Sequence, residues 1–258
     1  MLKQQYPILE FDPISQPVVQ AKSYLPEFVI EKCARCLITY FTDVVERYER
    51  MFFLNQAFKI RTEGVRPRVY YMPAGTKKEM IYVVPMPIGA PQAARVMEAM
   101  VTLGVKKFMV CGGAGSLDDS TTSGKTLIPV SAVRVEGTSY HYLPPSREVE
   151  LNPKVAEVIE KTLAREGVSY QKVKTWTTDG IFRETANKVE LRKSEGCHVV
   201  EMECAAFYAV AKHKNLLCGQ LLYAGDLVHP DKWDYRDWHD SEEREKLFNI
   251  AVKCLLEL

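Results

Sequence analysis

Three short stretches of this sequence hold residue types that do chemistry at close spacing. In Val199-Val-Glu-Met-Glu-Cys-Ala-Ala-Phe-Tyr208, two carboxylates, Glu201 and Glu203, leave an apolar run and enter a small-residue helical pattern. Glutamate is rarely buried without a partner. A pair at such a junction therefore either caps nearby backbone or binds a ligand, and a carboxylate there is suited to accept two hydrogen bonds from a sugar diol. Tyr223-Ala-Gly-Asp226 places a third carboxylate just past another apolar run. By itself it reads as a turn or N-cap residue ahead of Pro230. Val110-Cys-Gly-Gly-Ala-Gly-Ser116 closes a strand-like run in glycines, at a strand end where a ligand of an α/β sheet would sit. Other features carry less. Cys33-x-x-Cys36 lacks the second pair that zinc ligation needs, so two small residues entering a strand is the simpler reading. His141 sits in a loop between two tyrosines. His229, Trp233, Trp238 and His239 mark a loop over residues 227–240 that reads equally as a lid, an interface or packed surface.

The elements that must position these groups alternate in type. Strand-like runs fall at Cys36–Phe41, Lys107–Cys111, Thr126–Val135, Gln171–Trp176, His198–Met202 and Leu216–Tyr223. A hairpin is expected from Arg68–Met72 and Met80–Pro85 across Ala-Gly-Thr-Lys-Lys. Helical patterns cover Thr42–Leu54, Pro91–Leu103, Asn152–Glu166, Cys204–Lys212 and Ser241–Leu256, with Asn152 as an N-cap and Pro153 in the first turn. Alternation at this spacing implies an α/β fold of three layers, a central, mostly parallel (mixed) β-sheet flanked by helices. No linker-like stretch divides residues 1–258, so one domain is expected, with residues 1–32 a peripheral N-terminal extension. Ligands of such sheets sit beyond the carboxyl ends of the strands, which is where all three chemical stretches fall.

At this point the sequence resembles a known family. Val-Glu-Met-Glu-x-Ala-Ala-x-Tyr-x-Val is similar to the signature of the nucleoside phosphorylase superfamily, which groups hexameric-type purine nucleoside phosphorylases, uridine phosphorylases and methylthioadenosine nucleosidases. Ile88-Gly-Ala-Pro-Gln-Ala-Ala94, Gly112-Gly-Ala-Gly-Ser-Leu117, Glu136-Gly-Thr-Ser-Tyr-His-Tyr142 and Tyr223-Ala-Gly-Asp226 extend the likeness over roughly residues 35–257. The resemblance implies that Met202 and Glu203 hold the ribose, with Glu201 close to base and sugar. It implies that Thr178, Ile181 and Phe182 flank the base, and that Asp226 is the general acid that protonates N7 of a purine. Arg244 resembles the arginine that pairs with that aspartate, at a spacing a few residues longer than usual. Gly112, Gly113 and Ser116 are the implied anion-binding group. Neither metal nor organic cofactor is implied, only inorganic phosphate as co-substrate if the reaction is phosphorolytic. A homo-oligomer, dimer or hexamer, is implied as well.

The implied phosphate site is where the sequence departs from the family. The Gly-Asp-Pro-x-Arg segment after the first strand reads Ile38-Thr-Tyr-Phe-Thr-Asp-Val-Val-Glu46, and Arg-x-Gly-Thr reads Val110-Cys-Gly-Gly113. Two guanidinium contacts to a dianion are lost, and charge-assisted bidentate bonds are the strong ones. The first expectation is phosphorolysis of a purine nucleoside to base and ribose 1-phosphate, with phosphate held by Gly112–Ser116, Arg68, Arg95 or a neighbouring subunit. The rivals are hydrolysis, with Asp43, Glu46 or Glu10 activating water, and a nucleoside-binding protein without catalysis.

Composition limits the partners. The 258 residues carry 34 Lys and Arg against 33 Asp and Glu, a formal charge of +1. This balance excludes an extended nucleic-acid surface, which needs a basic excess, and leaves a small anion open. No apolar run approaches the ~18 residues of a membrane span. Seven scattered cysteines and no secretory signal at Met1–Tyr6 suggest a cytoplasmic protein with reduced thiols.

Overall fold

The computed structural model describes residues 3–13, 17–27, 33–76, 79–118, 121, 125–236 and 241–258. Along the chain run β1 (Arg35–Thr39), α1 (Thr42–Arg50), β2 (Asn55–Lys59), β3 (Arg68–Ala74), β4 (Glu79–Pro85), α2 (Ala90–Thr102), β5 (Lys107–Ser116), β6 (Thr126–Val135) and β7 (Glu148–Glu150). There follow α3 (Pro153–Arg165), β8 (Tyr170–Thr178), α4 (Ala186–Ser194), β9 (Cys197–Glu201), α5 (Cys204–Lys214), β10 (Leu217–His229), β11 (Lys232–Asp234) and α6 (Ser241–Glu257).

The sheet is mixed. Parallel pairs β4–β1, β1–β5, β5–β10, β6–β8 and β8–β9 form its centre. Antiparallel β3 and β2 extend one side, and β11 borders β10. Short antiparallel contacts of β10 with β6 and of β5 with β9 close β10, β6, β8, β9 and β5 into a ring. The expected hairpin is present, with Tyr70 opposite Val83 and a turn at Gly75, whose φ is +69°. Asn152 caps α3 as expected, its Oδ1 accepting from the Lys154 N–H at 2.9 Å. Helix α5 is buried along Cys204–Ala211, because its small residues let it lie close to the sheet and to α2.

Two departures from the expected elements bear on the site. β5 does not stop at Cys111: it runs on to Ser116, with Gly112 and Gly113 opposite Leu222 and Tyr223 of β10, and Gly115 opposite Val200 of β9. β10 likewise continues past Tyr223 to His229, with a register shift between Ala224 and Leu227. Such a bulge re-aims a side chain, and the one here carries Asp226. The N-terminal stretch is more than peripheral at one point, since Leu25 is buried and the Tyr24 carbonyl accepts from the Arg61 N–H.

Candidate active site

The strand ends of β1, β5, β9 and β10 bring the chemical residues together. Glu201 is the last residue of β9, and its carboxylate is fully used within the chain. Oε2 accepts from the N–H groups of Glu203 (2.8 Å) and Cys204 (2.6 Å), and Oε1 from the hydroxyls of Thr177 (2.6 Å) and Thr175 (3.2 Å). An anion at the N-terminus of α5 is favoured by the unpaired N–H groups and dipole there. With four donors already bound, Glu201 has no lone pair left for a sugar. Within the chain Glu201 thus caps α5 and holds the Met202-Glu203 link.

Glu203 occupies the N-cap position of α5 and is buried. Its Oε1 accepts from the Gly89 N–H at 2.6 Å. Gly89 adopts φ +119°, open to glycine alone, and turns that N–H toward the carboxylate at the start of α2. The expected Ile88-Gly-Ala-Pro segment thus meets the Glu-Met-Glu segment. Burial raises the proton affinity of both glutamates, and the neighbouring Glu201 charge raises that of Glu203 further. The Tyr40 ring crosses to this carboxyl, its hydroxyl facing Glu203. That hydroxyl is closed from solvent, and the Glu203 carboxylate is its hydrogen-bonding neighbour.

Asp226 lies within β10, not in a loop beyond it. Oδ2 accepts from Trp233 Nε1 of β11 at 2.5 Å, while Oδ1 is buried and has no partner among the described residues. Oδ1 lies 3.1 Å from where a Cβ on Gly115 would stand, so a glycine is needed beneath the carboxyl. Glu184, which the sequence reading missed, completes this side. Burial, and then the Asp226 charge, push its carboxyl up to about 7. Its sequence signal was its place in Ile181-Phe-Arg-Glu184, directly after the expected base-flanking pair. Ile181 and Phe182 form a short 3-10 turn and are exposed, Phe182 at 95%. Thr178 is buried, its hydroxyl accepting from the Gly180 N–H to hold that turn. Among the loop residues, Trp233 is thus tied to Asp226, and His229 Nδ1 accepts from the Asp231 N–H. His141 is exposed. Trp238 and His239 lie outside the described residues.

The glycines of the expected anion group lie within β5, each with one side against an aromatic ring. A Cβ on Gly112 would stand 2.9 Å from the Tyr40 ring, and one on Gly113 would stand 3.1 Å from the Tyr223 ring. Phe41 packs on Tyr223 with centroids 5.9 Å apart. Ser116 is buried and donates to the Thr121 carbonyl. Val110, at one of the family's arginine positions, is a core residue. Arg244 does not pair with Asp226, contrary to the expected match. From α6 its Nε donates to Tyr223 Oη (3.2 Å), its Nη1 donates to Asp43 Oδ1 (3.2 Å), and its guanidinium lies over Phe41. Arg68 pairs instead with Tyr70 and Glu49, and Arg95 lies over Tyr24. Of the other candidate bases, Glu46 is exposed and Glu10 accepts from the Gln4 N–H. All seven cysteines are buried thiols, and burial pushes that of Cys36 up. No group of three His, Cys, Asp or Glu suited to a metal occurs among the described residues.

The strand ends thus gather the buried Glu203 beside the Gly89 N–H, and Asp226 beside Glu184, whose carboxyl burial pushes up to about 7. The phosphorylase superfamily profile matches residues 43–256. A guanosine phosphorylase of Halorubrum lacusprofundi is 28% identical over 180 residues, 66% of this chain and 73% of that protein. The chain spans about half the length of other curated relatives it matches. Among solved structures, purine nucleoside phosphorylase from Toxoplasma gondii in complex with immucillin-H superposes with a TM-score of 0.73 at 20% identity, over 88% of this chain and 92% of that one. AMP nucleosidase from Bacteroides thetaiotaomicron gives 0.68 at 20% identity, over 91% and 93%. These two share the fold. By the profile match over most of its length, this chain belongs to the phosphorylase superfamily.

Proposed function

We propose that this protein cleaves the N-glycosidic bond of a purine nucleoside and passes the ribosyl group to water. In this reading Glu203 accepts from the ribose hydroxyls, with Met202 beside it, and Ile181 and Phe182 flank the base. Asp226 gives its proton to N7, which turns the purine into a better leaving group as positive charge builds on the sugar. A pyrimidine has no N7 to receive that proton. Glu184 keeps a proton within reach of Asp226 near neutral pH, because two adjacent carboxylates resist ionising together. Glu201 serves by orienting the Glu203 segment.

The observation that carries water over phosphate is the strand pairing of the expected anion group: Gly112 and Gly113 lie within the β5–β10 ladder, and the expected arginine two residues before Gly112 is Val110. Phosphorolysis is the second reading. It is favoured by Arg244, a cation beside Tyr223, and by the guanosine phosphorylase relative. Incubation with inosine, guanosine, adenosine and uridine, with and without phosphate, tests both. Free ribose from a purine nucleoside, independent of phosphate, is expected; ribose 1-phosphate formed only with phosphate would replace this reading by the second. Binding without turnover would leave neither standing. We also propose a homo-oligomer, in which a second copy covers the exposed Phe182 and Ile88 side chains.

A further inference from the structure

Trp233 stands 65% exposed on the three-residue strand β11, its ring centroid 5.6 Å from that of Tyr235. A side chain so exposed contributes little by burial. What the fold uses is its indole N–H: Nε1 donates to Asp226 Oδ2 at 2.5 Å. The hairpin makes this contact. Trp233 pairs with Val228, and residues two apart on a strand share a face, so the indole lies diagonal to Asp226. Val228 Cγ2 and Asp226 Oδ1 lie 3.0 and 3.1 Å from the place of a Cβ on Gly115, which sets both against the same point of β5. Oδ1 is buried there and accepts no hydrogen bond among the described residues. The Trp233 N–H is therefore the single hydrogen bond that the described residues give the Asp226 carboxyl.

We propose that Trp233 is a positioning residue for the reaction described above: its N–H holds the Asp226 carboxyl in the orientation from which the proton goes to N7. This rests on the reading of Asp226 as the general acid, and it holds for water and phosphate as acceptor alike. An indole N–H donates and never accepts. It therefore cannot take the proton that Asp226 delivers, and it keeps its hold whether the carboxyl is neutral or ionised. In the step the Asp226 O–H bond breaks and the proton bonds to N7. The C1′–N9 bond breaks with its electron pair going to the base, and the acceptor oxygen bonds to C1′. The charge left on Asp226 strengthens its bond to Trp233, because a hydrogen bond to an ionised acceptor is stronger than one to a neutral acceptor. The contact thus gains strength as the proton leaves, and only such a gain accelerates the step. Without it no hydrogen bond fixes the plane of the carboxyl, and a misplacement of about 1 Å can cost about 10²-fold in rate.

Release of base from inosine, guanosine and adenosine by the wild-type protein, Trp233→Phe, Asp226→Asn and the double variant tests this. Trp233→Phe keeps a ring and removes the N–H; kcat should fall about 10-fold, with KM changed less than about 3-fold. In the Asp226→Asn background the same substitution should change kcat less than about 2-fold, because a residue that acts through another is silent once that other is gone. An equal fall in both backgrounds would mark a merely structural effect and overturn the role. So would a wild-type or higher kcat in Trp233→Phe, or a raised KM with kcat unchanged. Each of these leaves Asp226 standing as the acid while Asp226→Asn itself remains about 10²-fold slow. Near-normal rates in Asp226→Asn, or no base released from any of the three nucleosides by the wild-type protein, overturn the acid reading itself, and the role of Trp233 with it.

Discussion

At the scale of single residues, the two glutamates of one motif do different work, and mutation should separate them. On the proposed reading Glu203 takes the ribose hydroxyls, and Glu203→Ala should lower kcat/KM about 10²-fold or more, because a carboxylate-to-diol contact strengthens as charge develops on the sugar. Glu201 accepts four hydrogen bonds. Glu201→Gln would turn an amide donor onto donors, so the expected result is a lower Tm by several degrees. Asp226→Asn should reduce purine cleavage about 10²-fold, the size of a general-acid effect. Near-normal rates in that variant would remove Asp226 from the reaction. All three carboxylates stood out in the sequence as residues rarely buried without purpose. What spacing left open was their division of labour, since it depends on which donors the fold turns toward each one.

At the scale of elements, the strand ends set the geometry. β5 continues through its glycines because neighbouring side chains, rather than a ligand alone, need the space above them. Gly115→Ala tests this: a Cβ would meet Asp226 Oδ1 at 3.1 Å and Val200 and Val228 at similar distances. The variant should stay folded by circular dichroism yet lose activity, as the bulge that aims Asp226 is pushed outward. The capping of α3 by Asn152 is a cleaner local case. Asn152→Ala should cost about 1 kcal/mol; for a chain of this size that is a fall in Tm of about 2–4 °C. Here sequence and structure agree because a cap is decided by residues two apart. The short strands β2, β7 and β11 and the helix α4 escaped the sequence reading, since each has too few apolar positions to display a period and is held by its neighbours.

At the scale of the whole molecule, acidic groups gather at one end of the sheet, and this couples stability to pH. Glu184 is held near 7 by burial and by Asp226, above its unfolded value of about 4.5. A carboxyl whose folded value is raised contributes its stability while protonated and loses it as pH rises through that value. Glu184→Gln should therefore match the wild-type Tm at pH 5 and exceed it at pH 8.5. The expected gain is about 1 kcal/mol once partial exposure is allowed for, or ~2–4 °C. An equal Tm difference at both pH values would show that Glu184 does not titrate in this window. The near-zero net charge of the chain hides this arrangement, because composition counts charges without placing them.

The sequence by itself determined the alternation of strands and helices, the family signature around Glu203 and the absence of the usual phosphate arginines. These are properties of residue type and spacing along the chain. Only the tertiary structure decided that Glu201 is spent on capping, that Arg244 serves Asp43 and Tyr223 rather than Asp226, and that Tyr40 fills the space over Gly112. Each of these is a contact between residues 2 to 201 positions apart. Which donor meets which acceptor at such separations is settled by strand register and helix packing, and one further turn of α6 or one bulge in β10 is enough to move a charge from one side of the crevice to the other.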